Sequence, residues 1–224
     1  MIRETVADGL EAINSGANDV IVAKQYNGLF MSTPIIVQVG KIHNKETFFK
    51  SREDNEMKIY INGKHVQTDS RLLIEDNGKA CFNRVKDPIN LTHEEWKNVQ
   101  LNPGLNSGQF VVESLKVKID FNVFLYDQNT RFIISDIDGT ITICDFQGRI
   151  GPMFGIDSDQ ERVVELFDKI NKNGYEVIYL TGRSTAELEG TKEYLFKVFM
   201  LSIYVDRVGS GYFRLTWLIP INSD

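Results

Sequence analysis

Cysteine is almost missing from this chain. Two of 224 residues, Cys81 and Cys144, carry a thiol. They show neither metal-ligand spacing nor a disulfide framework, which fits a reducing compartment. Histidine is nearly as scarce, and His43, His65 and His93 all fall in the strand-like first part. Serine or cysteine nucleophile chemistry therefore has little support, and core or surface roles are expected for the three imidazoles. No uninterrupted apolar run reaches the length of a membrane span. The N-terminus lacks the basic-then-apolar pattern of a secretory signal, and a Walker-type phosphate loop is absent. Excess positive charge is absent too: the net charge is −6. That argues against nucleic-acid binding by general electrostatics. It also argues against whole-molecule attraction to an anionic membrane, although a local basic patch can still supply one. What is present is ordinary for a soluble intracellular protein: 42% hydrophobic, 25% charged and 11% aromatic residues, with length for one large domain or two modest ones.

The chain changes grammar near residue 128. Before it, "MIRETVADGLEAINS" sets Ile2, Val6, Leu10 and Ile13 at helical spacing, which predicts an N-terminal helix. Residues 19 to 127 read as mostly strand. Asn27-Gly28, Asn62-Gly63 and Asn77-Gly78 each sit between β-branched or apolar runs, and such pairs signal hairpins. Three of them predict an antiparallel sheet or sandwich. Thr92 with Glu95 forms a capping-box pattern, so a short helix is expected to start there. "GQFVVESLKVKIDFNVFLYD" alternates and predicts one or two further strands.

After residue 128, "RFIIS" predicts a short strand and "DSDQERVVELFDKINKNG" a helix, with Asp157 and Gln160 at its start and Gly174 at its end. "YEVIYL" predicts a second buried strand, and Ser184 with Glu187 opens another helix. Strand, helix, strand, helix implies a parallel sheet with right-handed crossovers.

The first of these strands runs into two carboxylates, Asp136 and Asp138, followed by Gly139 and Thr140. Two like charges at the end of an apolar run repel unless a cation sits with them. In a parallel sheet such C-terminal strand ends are where sites form. On an extended chain, side chains two residues apart emerge on the same side. That arrangement suits one carboxylate to attack and the other to move protons, with Mg²⁺ holding both through oxygen. The second strand ends in "LTGRS", where Thr181 offers a hydroxyl to a phosphoryl oxygen and the next helix N-terminus offers amides to an anion. A calcium loop starting at Asp136 fails, because Gly139 stands at its fourth position and Gln147 where a bidentate Glu is required. A plain solvated turn accounts neither for the apolar run feeding the pair nor for the matching second strand end.

These residues resemble a family. An apolar strand, Asp-x-Asp-Gly-Thr, and a later strand ending in Thr resemble the haloacid dehalogenase superfamily of phosphatases. "ISDIDGTITICDFQGRIGPMFGID" with "NGYEVIYLTGR" resembles, more narrowly, the lipin family of Mg²⁺-dependent phosphatidate phosphatases. "LTHEEWKNVQLNPGLNSGQFVV" is similar to the lead-in to that catalytic domain. "NDVIVAKQYNGLFMSTPIIVQVGK", "IYINGK" and "EDNGKACF" are similar to the family's N-terminal segment. The resemblance implies an α/β plus all-β protein: an immunoglobulin-like β-sandwich over 1–127, then a HAD-like Rossmannoid parallel sheet over 128–198, with a divergent tail over 199–224. It implies Asp136 as nucleophile forming an aspartyl-phosphate and Asp138 as the acid and then base. Thr181 and Gly182 are implied as phosphate ligands, and Mg²⁺ is implied on Asp136 and the backbone carbonyl of Asp138. Asp145 matches an acidic position after the first motif. The implied partner is a phosphatidate-containing membrane surface, met by a cytoplasmic protein peripherally associated with the endoplasmic reticulum or nuclear envelope.

The chain departs from the family in three places. "DSDQ" keeps Asp157 but has Gln160 where lipins carry histidine. The N-terminal helix expected here is acidic, whereas interfacial helices carry a basic polar face. The superfamily also requires a lysine after the Thr strand, to neutralise phosphoryl charge, and an acid from a further strand for the metal. The candidates here are Lys197 and Asp206. Truncation of a longer chain is the expectation that follows, and with it the alternative of a lipin-like module that binds phosphatidate or membrane without turnover.

Overall fold

The computed structural model describes residues 10–11, 15–42, 55–75, 77–82, 89–137, 141, 158–183, 187–188, 190–195 and 218–220. The fold is mixed α/β and dominated by strands. The chain forms two compact units, Met1–Gln128 with Thr185–Glu187, and Asn129–Ser184 with Leu188–Asp224.

In the first unit the strands are β1 (Leu10–Glu11), β2 (Gly16–Ala17), β3 (Val20–Lys24), β4 (Phe30–Ser32), β5 (Val37–Gln38), β6 (Lys41–Ile42), β7 (Glu56–Ile61), β8 (Lys64–His65), β9 (Leu72–Ile74), β10 (Ala80–Phe82), β11 (Gly104–Val112) and β12 (Val117–Asp127). Eight of them make one sheet in the order β10-β9-β7-β11-β12-β3-β4, with β8 on β7; β2-β5 and β1-β6 pair separately. Alternation decides the faces. Met57, Ile59 and Ile61 of β7 are buried, as are Phe110 and Val112 of β11 and Phe121 and Val123 of β12. All join one hydrophobic core with Ile35, Val37 and Val39 from the short segments, because side chains two apart share a sheet face.

Each Asn-Gly pair turns a hairpin. Asn62 (φ 51) and Gly63 (φ 74) join β7 to β8 in two residues, the left-handed pair that matches strand twist. Gly28 lies in the five-residue connection between β3 and β4, and Gly78 in that between β9 and β10. Helix α1 (His93–Asn98) begins as expected. The Thr92 side chain accepts from the Glu95 amide, and Glu95 Oε2 accepts from the Thr92 amide at 2.7 Å. The other Glu95 oxygen accepts from Asp69 N at 2.9 Å, so the cap also pins a distant loop. Trp96 of the same helix is fully buried.

Two expectations are corrected here. The helical spacing at the N-terminus meets a strand at β1, where Leu10 and Glu11 pair antiparallel with Ile42 and Lys41; the rest of that predicted helix lies outside the described residues. Tertiary pairing overrides a weak local pattern at this point. The sheet is also not purely antiparallel. β12 runs parallel to β3, with Val123 opposite Val20 and Asp127 opposite Lys24. Asp19 secures that junction, its Oδ1 accepting from Asn122 N at 3.0 Å.

The second unit holds β13 (Arg131–Asp136), helix α2 (Ser158–Lys172), β14 (Tyr175–Thr181) and β15 (Leu218–Pro220). The three strands form a parallel sheet in the order β13-β14-β15. Leu218–Pro220 of the tail thereby pairs with β14, Leu218 standing opposite Tyr179 and Pro220 opposite Thr181.

Candidate active site

β14 is buried along Val177, Ile178 and Tyr179, as a parallel strand covered on its faces is, whereas in β13 Ser135 is buried and Ile134 is exposed. α2 provides part of that cover. Phe167 packs edge-on against Tyr179 with ring centroids 5.7 Å apart. Val163 and Ile170 pack on the same cluster as Ile137, Val177, Leu188 and Leu195. Gly174 at φ 79 closes the helix, its amide donating to the Asn171 carbonyl at 2.9 Å. The left-handed turn returns the chain directly into β14.

The two strands end together. Asp136 stands opposite Leu180 in the ladder, and the Ile137 amide extends that ladder by donating to the Leu180 carbonyl at 3.2 Å. Asp136 is exposed while Ser135 and Ile137 on either side are buried. The carboxylate therefore faces solvent at the strand's C-terminal end. Its Oδ1 accepts from Ile137 N at 2.8 Å, which fixes the carboxylate's orientation. Beyond it, Ile141 N donates to Ile137 O at 2.9 Å.

At the second strand end Thr181 is fully buried. Its Oγ1 accepts from Arg183 N at 3.2 Å. Gly182 is exposed, and a Cβ added there would meet nothing within 4 Å. An open backbone amide position and an exposed carboxylate thus sit at neighbouring strand ends. Arg183 Nη1 donates to Thr191 Oγ1 at 3.0 Å, and Thr191 is buried in the helical stretch 190–195.

Of the residues singled out from the sequence, Asp136, Thr181 and Gly182 are brought to adjoining strand ends. Asp138, Asp145, Asp157, Lys197 and Asp206 lie outside the described residues, and Gln160 lies in the first turn of α2. Among the described residues no group of three His, Cys, Asp or Glu side chains forms a metal cluster. An exposed carboxylate is one hard-oxygen ligand, and one or two such ligands with phosphate oxygens are how Mg²⁺ is usually bound. The described residues fit that ion to this extent. His65 is exposed, and His93 Nδ1 accepts from Phe30 N at 3.0 Å, so both have the surface and structural roles expected of them. The Arg183–Thr191 link was missed. Its signal was a polar residue within the buried series Leu188, Thr191, Leu195.

Comparison with known proteins adds the following. The family model described as LNS2 (Lipin/Ned1/Smp2) matches residues 87–203, and that described as lipin, N-terminal conserved region, matches residues 2–101. The chain is 37% identical over 107 residues to Phosphatidic acid phosphohydrolase 1 of Saccharomyces cerevisiae, covering 48% of this chain and 12% of that protein. It is 36% identical over 107 residues to Nuclear elongation and deformation protein 1 of Schizosaccharomyces pombe, covering 48% of this chain and 16% of that protein. It is 33% identical over 113 residues to human Phosphatidate phosphatase LPIN1, covering 49% of this chain and 13% of that protein. The matched part is thus a small fraction of each relative's length.

Proposed function

The chain belongs to the LNS2 (Lipin/Ned1/Smp2) family, and on that premise we propose that it acts as a phosphatidate phosphatase, hydrolysing phosphatidate to diacylglycerol and phosphate. The observation that carries this reading is Asp136, exposed at the end of a parallel strand and held by the Ile137 amide, within the residues that the family model matches. The names of the relatives from yeast and human support the substrate.

In this mechanism a carboxylate oxygen of Asp136 attacks phosphorus, forming a new P–O bond as the bond to the diacylglycerol oxygen breaks. Asp138 gives its proton to the departing alkoxide. It then takes one from a water that attacks the aspartyl-phosphate, freeing phosphate and restoring the Asp136 carboxylate. Gly182 N–H and Thr181 hold the phosphoryl oxygens at the neighbouring strand end, where preorganised donors cost little reorganisation. The Asp136 carboxylate and the Asp138 backbone carbonyl would hold Mg²⁺, which when bound neutralises charge on the phosphoryl group. Asp206 and Lys197 are proposed as the further acid and the cation.

The same reading makes the parallel sheet the first half of a HAD-like Rossmannoid domain and the strand-rich unit an immunoglobulin-like sandwich. Among the described residues no helix is long and apolar enough to cross a membrane. We place the protein on the cytoplasmic side, peripherally attached to the endoplasmic reticulum or nuclear envelope. Phosphate release from phosphatidate, with and without Mg²⁺ and compared with Asp136→Asn, tests the proposal. A folded chain that binds phosphatidate but releases nothing would replace it with the non-catalytic module.

A further inference from the structure

The β3–β4 hairpin carries an unusual concentration of exposed apolar surface. Tyr26 is 83% exposed, Leu29 42% and Met31 59%. Half of the large apolar side chains that stand exposed among the described residues fall within these six positions. β4 ends the eight-stranded sheet, so this hairpin sits at its margin.

Several amides of the hairpin are paired within the protein. Gln25 N donates to Leu29 O at 2.8 Å, Gly28 N to Gln25 O at 2.9 Å and Leu29 N to Asn27 Oδ1 at 3.0 Å. Phe30 N donates to His93 Nδ1 at 3.0 Å. Amides paired internally can enter an apolar medium without the penalty of a lost hydrogen bond. Charge points the same way. In a chain of net charge −6, no Asp or Glu occurs from Val20 to Ile42, while Lys24 and Lys41 do. Lys24 lies over the Phe30 ring at 5.9 Å, with an aliphatic stem suited to apolar surroundings and an ammonium suited to the polar layer above them. The nearest carboxylates on neighbouring elements are Asp127, the register partner of Lys24, and Glu94, which pairs with Lys97 at 3.6 Å.

We propose that this hairpin docks the chain on a lipid surface with an anionic polar layer. Tyr26, Leu29 and Met31 enter the interface and Lys24 stays at headgroup level. The inference rests on the reading of a membrane-borne phosphate monoester as substrate. A protein partner fits less well. Specific protein interfaces bury about 800 Å² on each side, more than three side chains on a hairpin provide, whereas shallow insertion of a few aromatic and aliphatic groups is how interfacial elements attach.

The test is co-sedimentation of the full chain with phosphatidylcholine vesicles, with and without phosphatidate. The triple variant Tyr26→Ser, Leu29→Ser, Met31→Ser is expected to bind at least about tenfold more weakly, about 1.4 kcal/mol, at an unchanged thermal midpoint. Lys24→Gln is expected to reduce the preference for vesicles containing phosphatidate. Leu29→Trp supplies a second readout that does not depend on losing contacts: its added fluorescence is expected to shift to shorter wavelength with vesicles. Wild-type strength in the triple variant, no vesicle binding by the wild type, or an unmoved Leu29→Trp emission each overturns the proposal. So does self-association that the triple variant abolishes without vesicles, since a second copy would then be the occupant. Asp136→Asn is expected to bind vesicles like the wild type. Absent phosphate release with intact hairpin-dependent binding would therefore refute the catalytic reading and leave this one standing.

Discussion

Arg183 and Thr191 are joined by a 3.0 Å hydrogen bond from Nη1 to Oγ1, and through it the turn that follows β14 is tied to a buried position in the next helical stretch. The Arg183 amide meanwhile caps the Thr181 hydroxyl. One residue thus fixes both sides of Gly182, the exposed backbone position beside Asp136. Thr191→Val is expected to lower phosphate release about ten- to a hundredfold, the scale of a small misplacement near a reacting centre, with KM changed far less than kcat. Thr191→Ser keeps the hydroxyl and is expected to stay near wild type. Steady-state kinetics on phosphatidate decide it, and an unchanged kcat in Thr191→Val would remove the link from the account.

Gly78 and Gly63 both adopt left-handed backbone, at φ 81 and φ 74, yet they are predicted to respond differently to alanine. Beside Gly63 there is open space, so Gly63→Ala is expected to cost about 1 kcal/mol of backbone strain. A Cβ on Gly78 would fall on the carbonyl oxygen of Gly40, in a segment where Val39 N donates to Gly78 O at 2.8 Å. Gly78→Ala must displace main chain as well as strain it, and is expected to lose several times as much. Denaturant midpoints of the two variants give the comparison, and equal losses would contradict it.

Burial pushes the Tyr179 hydroxyl well above its ordinary value, about 10 in an unfolded chain. A proton held more tightly in the folded state stabilises that state until the unfolded phenol begins to ionise and release its own. With rising pH the unfolded chain therefore gains relative to the folded one. Stability is expected to fall above about pH 10 by up to about 1.4 kcal/mol per pH unit from this group. In Tyr179→Phe that part of the decline should vanish. Urea titrations across the alkaline range would show it, and identical slopes in the two proteins would refute the assignment.

Local patterns were readable from the sequence because their causes are local. The Thr92–Glu95 box and the Asn62-Gly63 turn each involve partners within three residues, and both form as the residues dictate. The parallel strand pair with its acidic end was also legible, since an apolar run that stops on paired carboxylates marks a strand end facing solvent or a cation. Long-range pairing was not. The parallel β12–β3 ladder joins segments about a hundred residues apart, and nothing in "DVIVAK" selects that partner over another strand. β1 was misread because Leu10 suits a helical stripe as well as a bridge to Ile42. At the site, Thr181 is buried and its Oγ1 accepts from the Arg183 amide, a local contact that the strand pattern does not indicate. Its neighbour Gly182, implied beside it as a phosphate ligand, occupies the exposed position.

The central claim is that Asp136 is the nucleophile of an Mg²⁺-dependent phosphatidate phosphatase. Phosphate release from phosphatidate in mixed micelles, for the intact chain beside Asp136→Asn, tests it most directly. The account predicts release that requires Mg²⁺ and disappears in the variant, with both proteins equally folded. Equal release from the two, or none from a folded wild type, would contradict it.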